Sequence, residues 1–171
     1  MTNSLTIKAK LFLLALLGVS FAVLVGASGY WGQAAQSTAL DEVVTNSIAL
    51  RNHMEADMEH EGILADVLAA LRAGAATPPQ PEQIAAIAKE FVRHADIMRK
   101  GISDNQKLVL DEAIQKQMRV VNPALDSYIE KANTIIDRAA KDIQSAQADF
   151  PDFKARFDVL EKEQDTLSNL I

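Results

Sequence analysis

The chain has 171 residues, 49% of them hydrophobic but only 5% aromatic, with a formal net charge of −6 and no cysteine. The acidic balance and the lack of a basic stripe with interleaved aromatic residues argue against nucleic-acid binding. The absence of cysteine excludes disulfides, thiolate zinc sites, cysteine nucleophiles and covalent c-type haem attachment. The sequence also holds no phosphate-binding glycine loop and no nucleophile paired with a base, so we expect no enzymatic activity.

The first element is an apolar run that follows Lys8 and Lys10. About twenty uncharged residues are enough to cross roughly 30 Å of hydrocarbon as a helix. Tyr30 and Trp31 stand where an interfacial aromatic belt is expected, and the two lysines favour a cytoplasmic N-terminus. The sequence therefore predicts a cytoplasmic segment over residues 1–10, a transmembrane helix over 11–31 and an exported domain over 32–171.

A cleaved signal peptide is the competing interpretation of this run, with Val25, Gly26 and Ala27 as a small-residue cleavage site. The run is longer than the roughly 7–15 residues of a signal peptide's apolar core, and helix-compatible sequence follows it directly. Its length therefore favours a retained anchor. Both interpretations export the rest of the chain.

Beyond residue 35 the sequence predicts four amphipathic helices, over residues 36–74, 81–103, 108–142 and 147–171. Their boundaries have physical causes, because a proline removes a backbone donor and restricts the residue before it. The proline-rich stretch after Gly74 ends the first helix, and Gly101 opens a turn signature after the second. We place Pro151 in the first turn of the fourth helix. Pro123 either kinks the third helix or starts a new one.

Alternating steps of three and four select an apolar stripe on each predicted helix, which is the pattern of knobs-into-holes packing. We therefore predict an all-α fold, an antiparallel up-down-up-down four-helix bundle preceded by one transmembrane helix. The predicted stripes are Leu40, Val43, Ser47, Leu50, Met54, Asp57, Glu61, Leu64, Leu68 and Leu71 on the first helix; Ile84, Ile87, Phe91, His94 and Met98 on the second; Ile114, Met118, Val121, Leu125, Tyr128, Ala132, Ile135 and Ala139 on the third; and Phe150, Phe153, Phe157, Leu160, Gln164, Leu167 and Ile171 on the fourth.

Polar residues interrupt these stripes at one predicted height. Folding the first two helices into a hairpin pairs Glu61 with His94, and folding the last two places Tyr128 opposite Leu160 and near Gln164. We therefore predict a polar layer inside the bundle. Its candidate ligand-binding residues are Asp57, His60, Glu61, His94, Tyr128 and Gln164.

Three explanations of this layer stay open, because buried carboxylates are costly unless they are paired. The first explanation is a hydrogen-bonded layer that fixes the register between helices. The second is a pocket for a small polar or cationic ligand. The third explanation is a metal site made by Glu61, His94 and Asp57, or a non-covalent haem with Met54, Met58 or His94 as axial ligands. We expect no cofactor, with the metal or haem as the alternative.

Residues 52–71 resemble the sensory half of a bacterial methyl-accepting chemotaxis receptor. Related receptors carry an Asp-Met-x-His-x-x-x-x-x-Asp-Val string, which is matched here by Asp57, Met58, His60, Asp66 and Val67. An arginine is common in the family at the position of Leu64, so a ligand contact made by that arginine would be lost in this chain.

The resemblance implies a periplasmic four-helix sensor domain, anchored in the inner membrane by one pass as the chain stands. It implies a homodimer formed through the first helices, a small-molecule ligand of unknown identity, and a signal passed as a helix shift. It also implies a second membrane helix and a cytoplasmic half for kinase coupling, so we expect the chain to be a fragment that ends within the fourth helix. The alternative function is a periplasmic metal- or haem-binding bundle released by signal cleavage.

Overall fold

A computed structural model describes residues 6–171, and it is all-helical, with no strand in that part of the chain. The four helices are α1 (Ile7–Gly74), α2 (Pro81–Gln106), α3 (Glu112–Ala139) and α4 (Ile143–Ser168). The predicted all-α class and the number of helices in the domain are therefore confirmed. The chain divides into two compact units, Met1–Val44 and Thr45–Ile171.

The first unit contains the predicted transmembrane segment. Residues 11–31 are helical, and every side chain among them is exposed. By length and composition this part of α1 is able to cross a membrane. Residues 1–5, which form half of the predicted cytoplasmic segment, lie outside the described residues. The predicted start of a separate helix at residue 36 was wrong, because α1 is continuous from Ile7 and residues 32–73 contain no proline.

In the second unit the proline-rich turn falls where it was predicted. The helix α1 ends at Gly74, and Pro81 occupies the first turn of α2, where its missing donor costs little. The end of α2 was predicted three residues too early, at residue 103 rather than Gln106. Gly101 does not turn the chain, because it is buried against the backbone of α1.

The boundaries of α3 and α4 show what the prolines do. Pro123 lies inside a continuous α3 with its ring exposed, so no new helix begins there. Pro151 lies well inside α4 instead of in its first turn. The reason is an N-cap at Asp142, whose side chain accepts a hydrogen bond from the backbone N–H of Ser145 at 3.2 Å and starts the helix earlier than predicted.

The core of the second unit confirms three of the four predicted stripes. Every stripe residue predicted on α2, α3 and α4 is buried or half-buried. The stripe predicted on α1 was wrong, since Leu50, Met54, Asp57 and Glu61 are exposed. The buried stripe of α1 runs one residue earlier along the helix and consists of Ala49, His53, Ala56, His60, Ile63, Val67 and Ala70. One residue corresponds to a rotation of about 100° around the helix axis.

Contacts between α3 and α4 run in opposite directions along the two helices. The side-chain amide of Gln117, early in α3, donates to the backbone oxygen of Glu163, late in α4, at 3.1 Å. At the other end, the Lys131 ammonium lies 2.8 Å from an oxygen of Asp149. The predicted register, which set Tyr128 against Leu160, was wrong by about one heptad, because Tyr128 stacks on Phe153, seven residues earlier.

Candidate functional site

The structure separates the six residues of the predicted polar layer. His60, Tyr128 and Gln164 are buried, and His94 is half-buried. Asp57 and Glu61 are exposed, so the predicted pairing of Glu61 with His94 was wrong. The height along α1 was nearly correct, since His94 packs on Gly62, the next residue. The error lies in the rotation of α1, which turns both carboxylates outward.

His60 is enclosed by aromatic rings from two other helices. Its imidazole stacks on Phe157 of α4, with ring centroids 4.1 Å apart and planes inclined by 19°. The ring of Tyr128 from α3 meets it edge-on at 4.8 Å. The Tyr128 hydroxyl donates to the backbone oxygen of His60 at 2.9 Å, and Nε2 of His60 has no hydrogen-bond partner. We call His60, Tyr128, Phe153 and Phe157 the aromatic layer.

A cation lies beside this layer. The Lys154 ammonium is 4.0 Å from the centroid of the Phe157 ring, and His60 stacks on the same ring at nearly the same distance. Both groups fit only if they occupy opposite faces, so Phe157 is held between an ammonium and an imidazole. Burial, and to a smaller extent the charge of Lys154, lower the pKa of His60 from its ordinary value to about 4. His60 is therefore neutral at neutral pH.

His94 takes part in a separate polar cluster between α1 and α2. Its Nδ1 lies 2.6 Å from an oxygen of Asp66, and its Nε2 lies 2.5 Å from a guanidinium nitrogen of Arg93. Glu59 approaches the same Nε2 at 3.6 Å. A neutral imidazole that donates from Nδ1 and accepts at Nε2 satisfies both short contacts. Burial raises the pKa of Asp66, while the hydrogen bond from His94 opposes that shift.

Gly62 makes room for the His94 ring. A Cβ atom at Gly62 would lie 3.3 Å from the imidazole, so a larger residue would press on it. Asp66 belongs to the receptor-like string, but the stripe analysis missed it as the partner of His94. The signal available in the sequence was the seven-residue spacing of Glu59 and Asp66, which puts both carboxylates on one side of α1.

His53 is a functional candidate that the sequence analysis missed. Its side chain is 4% exposed, and its Nδ1 has no hydrogen-bond partner. Both polar atoms of the buried Gln164 amide are also without a partner. Burial lowers the pKa of His53, against the smaller opposing effects of Asp57 and Asp165. The spacing of seven residues between His53 and His60 was the available signal.

A hydrogen-bonded pair of amides lies next to His53 in the sequence. The amide of Asn52 donates to the side-chain oxygen of Asn105 at 2.9 Å. The amide of Asn105 donates in turn to the backbone oxygen of Ala49, also at 2.9 Å. Both asparagines are buried, so these bonds connect the interior of α1 with the end of α2.

The residues proposed for a metal or haem do not converge. Among the described residues no group of three or more His, Asp or Glu side chains is placed to hold a metal ion. Asp57 and Glu61 point away from His94, and Met54 and Met58 are 59% and 67% exposed on the outer face of α1. The geometry therefore does not fit the predicted metal or haem alternative.

An open groove follows the outer face of α1 in the second unit. It is open to solvent and is lined by residues of α1 alone, which are Ser47, Leu50, Arg51, Met54, Glu55 and Met58. Three of these residues are large, apolar and exposed. We call Leu50, Met54 and Met58 the outer stripe of α1.

Comparisons with protein families, with curated proteins and with solved structures gave no match. The fold and the site define the chain as a helical bundle with a buried imidazole and aromatic layer, together with one apolar helical span. The receptor resemblance of residues 52–71 stays a prediction from the sequence.

Proposed function

We propose that the chain is the sensory module of a chemotaxis-type transmembrane receptor and that it has no enzymatic activity. Residues 11–31 anchor it in the inner membrane, and residues 32–171 form an up-down-up-down bundle in the periplasm. One observation carries the proposal: α1 includes both a fully exposed apolar span and a stripe of buried imidazoles. A change at those imidazoles acts on the same helix that enters the membrane.

The mechanism requires two packings of α1 that differ by a small slide or rotation. A stimulus that favours one packing shifts the equilibrium only by its difference in affinity for the two states. The buried face of α1 is rich in alanine, so its surface is smooth enough for such a slide. Kinase coupling would need a cytoplasmic half in addition to these residues.

The outer stripe supports a homodimer. A helix with apolar stripes on two sides can bury both only by packing against two partners. The buried stripe of α1 packs on the other helices of its own chain, so the outer stripe is left for a second copy. Arg51 and Glu55, one turn apart in the same groove, offer opposite charges to a second copy. Two-fold pairing brings each residue of a self-complementary patch against the same patch of the partner.

Membrane orientation gives the first test. A phosphatase reporter that is active only in the periplasm is fused after Ile171 or after Lys10 of the full chain. We expect activity from the first fusion and none from the second, because the lysines keep the N-terminus in the cytoplasm. Activity from the second fusion alone would contradict the proposed orientation.

Dimerisation gives the second test, which the cysteine-free sequence makes simple. Single variants Met54→Cys and Val159→Cys are oxidised in native membranes. Both positions are apolar and exposed, at 59% and 54%, but only Met54 lies on the outer stripe. We expect a disulfide-linked dimer from Met54→Cys and none from Val159→Cys. Equal cross-linking of the two variants would contradict pairing through α1.

A further inference from the structure

Two imidazoles face the interior of the bundle without hydrogen-bond partners. His53 and His60 lie seven residues apart on α1 and are 4% and 1% exposed. Nδ1 of His53 and Nε2 of His60 are both buried and unpaired. Polar atoms in protein interiors nearly always have a partner, so two unpaired imidazoles on one face need an explanation.

The surroundings of His60 oppose a positive charge. From α4, the Phe157 ring covers one face of the imidazole. The Lys154 ammonium already occupies the opposite face of the Phe157 ring. A protonated His60 would therefore place two cations on one aromatic ring, whose attraction for a cation is limited. From α3, the Tyr128 hydroxyl donates its hydrogen bond to the backbone oxygen of His60 and not to the imidazole.

The charged groups of α1 and α2 at the level of the polar cluster are exposed or bonded to other side chains. On α1, Glu61 is exposed and Asp66 bonds to His94. On α2, Arg93 and His94 belong to that same cluster. None of these carboxylates accepts a hydrogen bond from His60, whose Nε2 stays unpaired.

His53 has the opposite electrostatic environment. The carboxylates of Asp57 on α1 and Asp165 on α4 both act to stabilise its charged form. On α2, no charged group acts on His53, and the uncharged Asn105 amide is bonded to the neighbouring Asn52. The unpaired oxygen of Gln164 lies seven residues from Phe157, just as His53 lies seven residues from His60. The charges that favour an imidazolium at His53 are therefore those of Asp57 and Asp165.

We propose that the sensor unit detects acid, and that the stimulus is a proton bound by the buried imidazoles of His53 and His60 between α1 and α4. This inference rests on the proposed receptor function, for which it names the stimulus. The periplasm exchanges protons with the surroundings, so the site would report external pH. The charges of Asp57 and Asp165 favour a protonated His53, whereas the charge of Lys154 opposes a protonated His60.

The direction in which stability changes with pH follows from the pKa shifts of His53 and His60. Burial lowers the pKa of both imidazoles, and that of His60 falls to about 4. The unfolded chain, with histidines near 6.5, then binds more protons than the folded chain between roughly pH 6.5 and 4. The stability of the native packing is complete above pH 6.5 and is lost as the pH falls toward 4.

Acid therefore favours any arrangement in which Nε2 of His60 reaches water. A shift of α1 against α4 would provide this, because the two rings are stacked and slide apart more easily than interlocked side chains. Buried histidines that become charged are known to reverse packing equilibria in this way.

The test uses the full chain reconstituted in lipid and isotope-labelled at histidine. NMR titration follows the three imidazoles, and circular dichroism follows Tm at pH 7 and pH 4.5. We expect His60 to titrate near pH 4 and Tm to fall by about 5–10 °C at the lower pH. In Lys154→Met, which keeps the aliphatic stem over Phe157, we expect His60 to titrate at a higher pH. We expect His60→Phe to remove most of the drop in Tm and His94→Gln to keep it.

Titration of His60 at 6.5, or an equal Tm at the two pH values, would overturn the proposal. So would a full drop in Tm in His60→Phe. If His60→Phe does not fold, the titrations of His60 in the native chain and in Lys154→Met still test the proposal. If the chain fails these tests but passes the reporter and cross-linking tests, acid is not its stimulus, and the proposed receptor function still stands. If the chain passes the titration and Tm tests but fails the reporter and cross-linking tests, the imidazoles bind protons but the receptor function is wrong.

Discussion

Helices α1 and α3 carry apolar residues at the same spacing, but only one of them buries the stripe that this spacing selects. All eight residues of the stripe predicted on α3 are buried. On α1 the equivalent stripe includes Leu50 and Met54, which are exposed, and the buried residues lie one position earlier. Periodicity therefore identifies a helix that packs, but when a helix has two stripes it does not say which one faces its own chain.

The composition of the two stripes of α1 explains the difference. The buried stripe contains Ala49, Ala56 and Ala70, all fully buried. Small residues let helix backbones approach closely, and packing against neighbouring atoms then stabilises the helix without large side chains. Leu50, Met54 and Met58 are left on the outer face of α1, where we expect a second copy.

Two methionines test this comparison with one substitution. Met118 on α3 is 1% exposed, and Met54 on α1 is 59% exposed. We expect Met118→Ala to lower the free energy of unfolding by about 2–5 kcal/mol, because it leaves a cavity in the core. We expect Met54→Ala to change it by less than about 0.5 kcal/mol in dilute, monomeric chain. Denaturant unfolding of the full chain in detergent measures both values.

A concentration series separates the possible origins of a loss at Met54. A loss that appears only as concentration rises reports the contact between copies, since dimer stability depends on concentration. A loss of 2–5 kcal/mol at every concentration would mean that Met54 belongs to the core of one copy. The assignment of the outer stripe would then be wrong.

The fold was predictable to the extent that single features decide it. Gly74 and the prolines after it fixed one turn, and three stripes fixed the core faces of α2, α3 and α4. The start of α4 was not predictable, because Asp142 is one of several polar residues able to cap a helix. The α3–α4 register was also missed, since two stripes with one spacing match again after every heptad.

The candidate site was predictable in its residue types more than in its geometry. His60, Tyr128 and Gln164 are buried as expected, but a rotation of about 100° turns Asp57 and Glu61 outward and brings His53 into the interior. Large apolar residues dominate a search for a stripe, and five of the seven residues in the buried stripe of α1 are alanine or histidine. Side-chain size, which decides how closely helices approach, is absent from a binary pattern.

Two buried amides test how the inner face of α1 is held. Asn105 makes two hydrogen bonds to α1, whereas both amide atoms of Gln164 are unpaired. We expect Asn105→Leu to lower the free energy of unfolding by about 1–3 kcal/mol, because it leaves buried groups of α1 without partners. We expect Gln164→Leu to be neutral, or stabilising by about 1 kcal/mol. Calorimetry at pH 7 compares them, and equal losses would mean that Gln164 is bonded.

Two glycines provide the smallest and most specific test of close packing on α1. A Cβ atom at Gly101 would lie 2.8 Å from the backbone oxygen of Asn52, which cannot move without shifting α1. A Cβ atom at Gly62 would meet only the imidazole of His94, at 3.3 Å. Alanine is favoured over glycine inside a helix by about 1 kcal/mol, so both substitutions begin with the same gain.

The two variants should therefore differ in sign. At Gly101 the overlap, at about 1–3 kcal/mol, exceeds the helical gain, so Gly101→Ala should lower the free energy of unfolding by about 1 kcal/mol. At Gly62 a small rotation of His94 relieves the contact, and Gly62→Ala should be neutral or slightly stabilising. Thermal unfolding of both variants beside the native chain measures the difference. Stabilisation by Gly101→Ala would show that α1 and α2 are further apart than the contact at Asn52 indicates, and the alanine-rich face of α1 would then need another explanation than close approach.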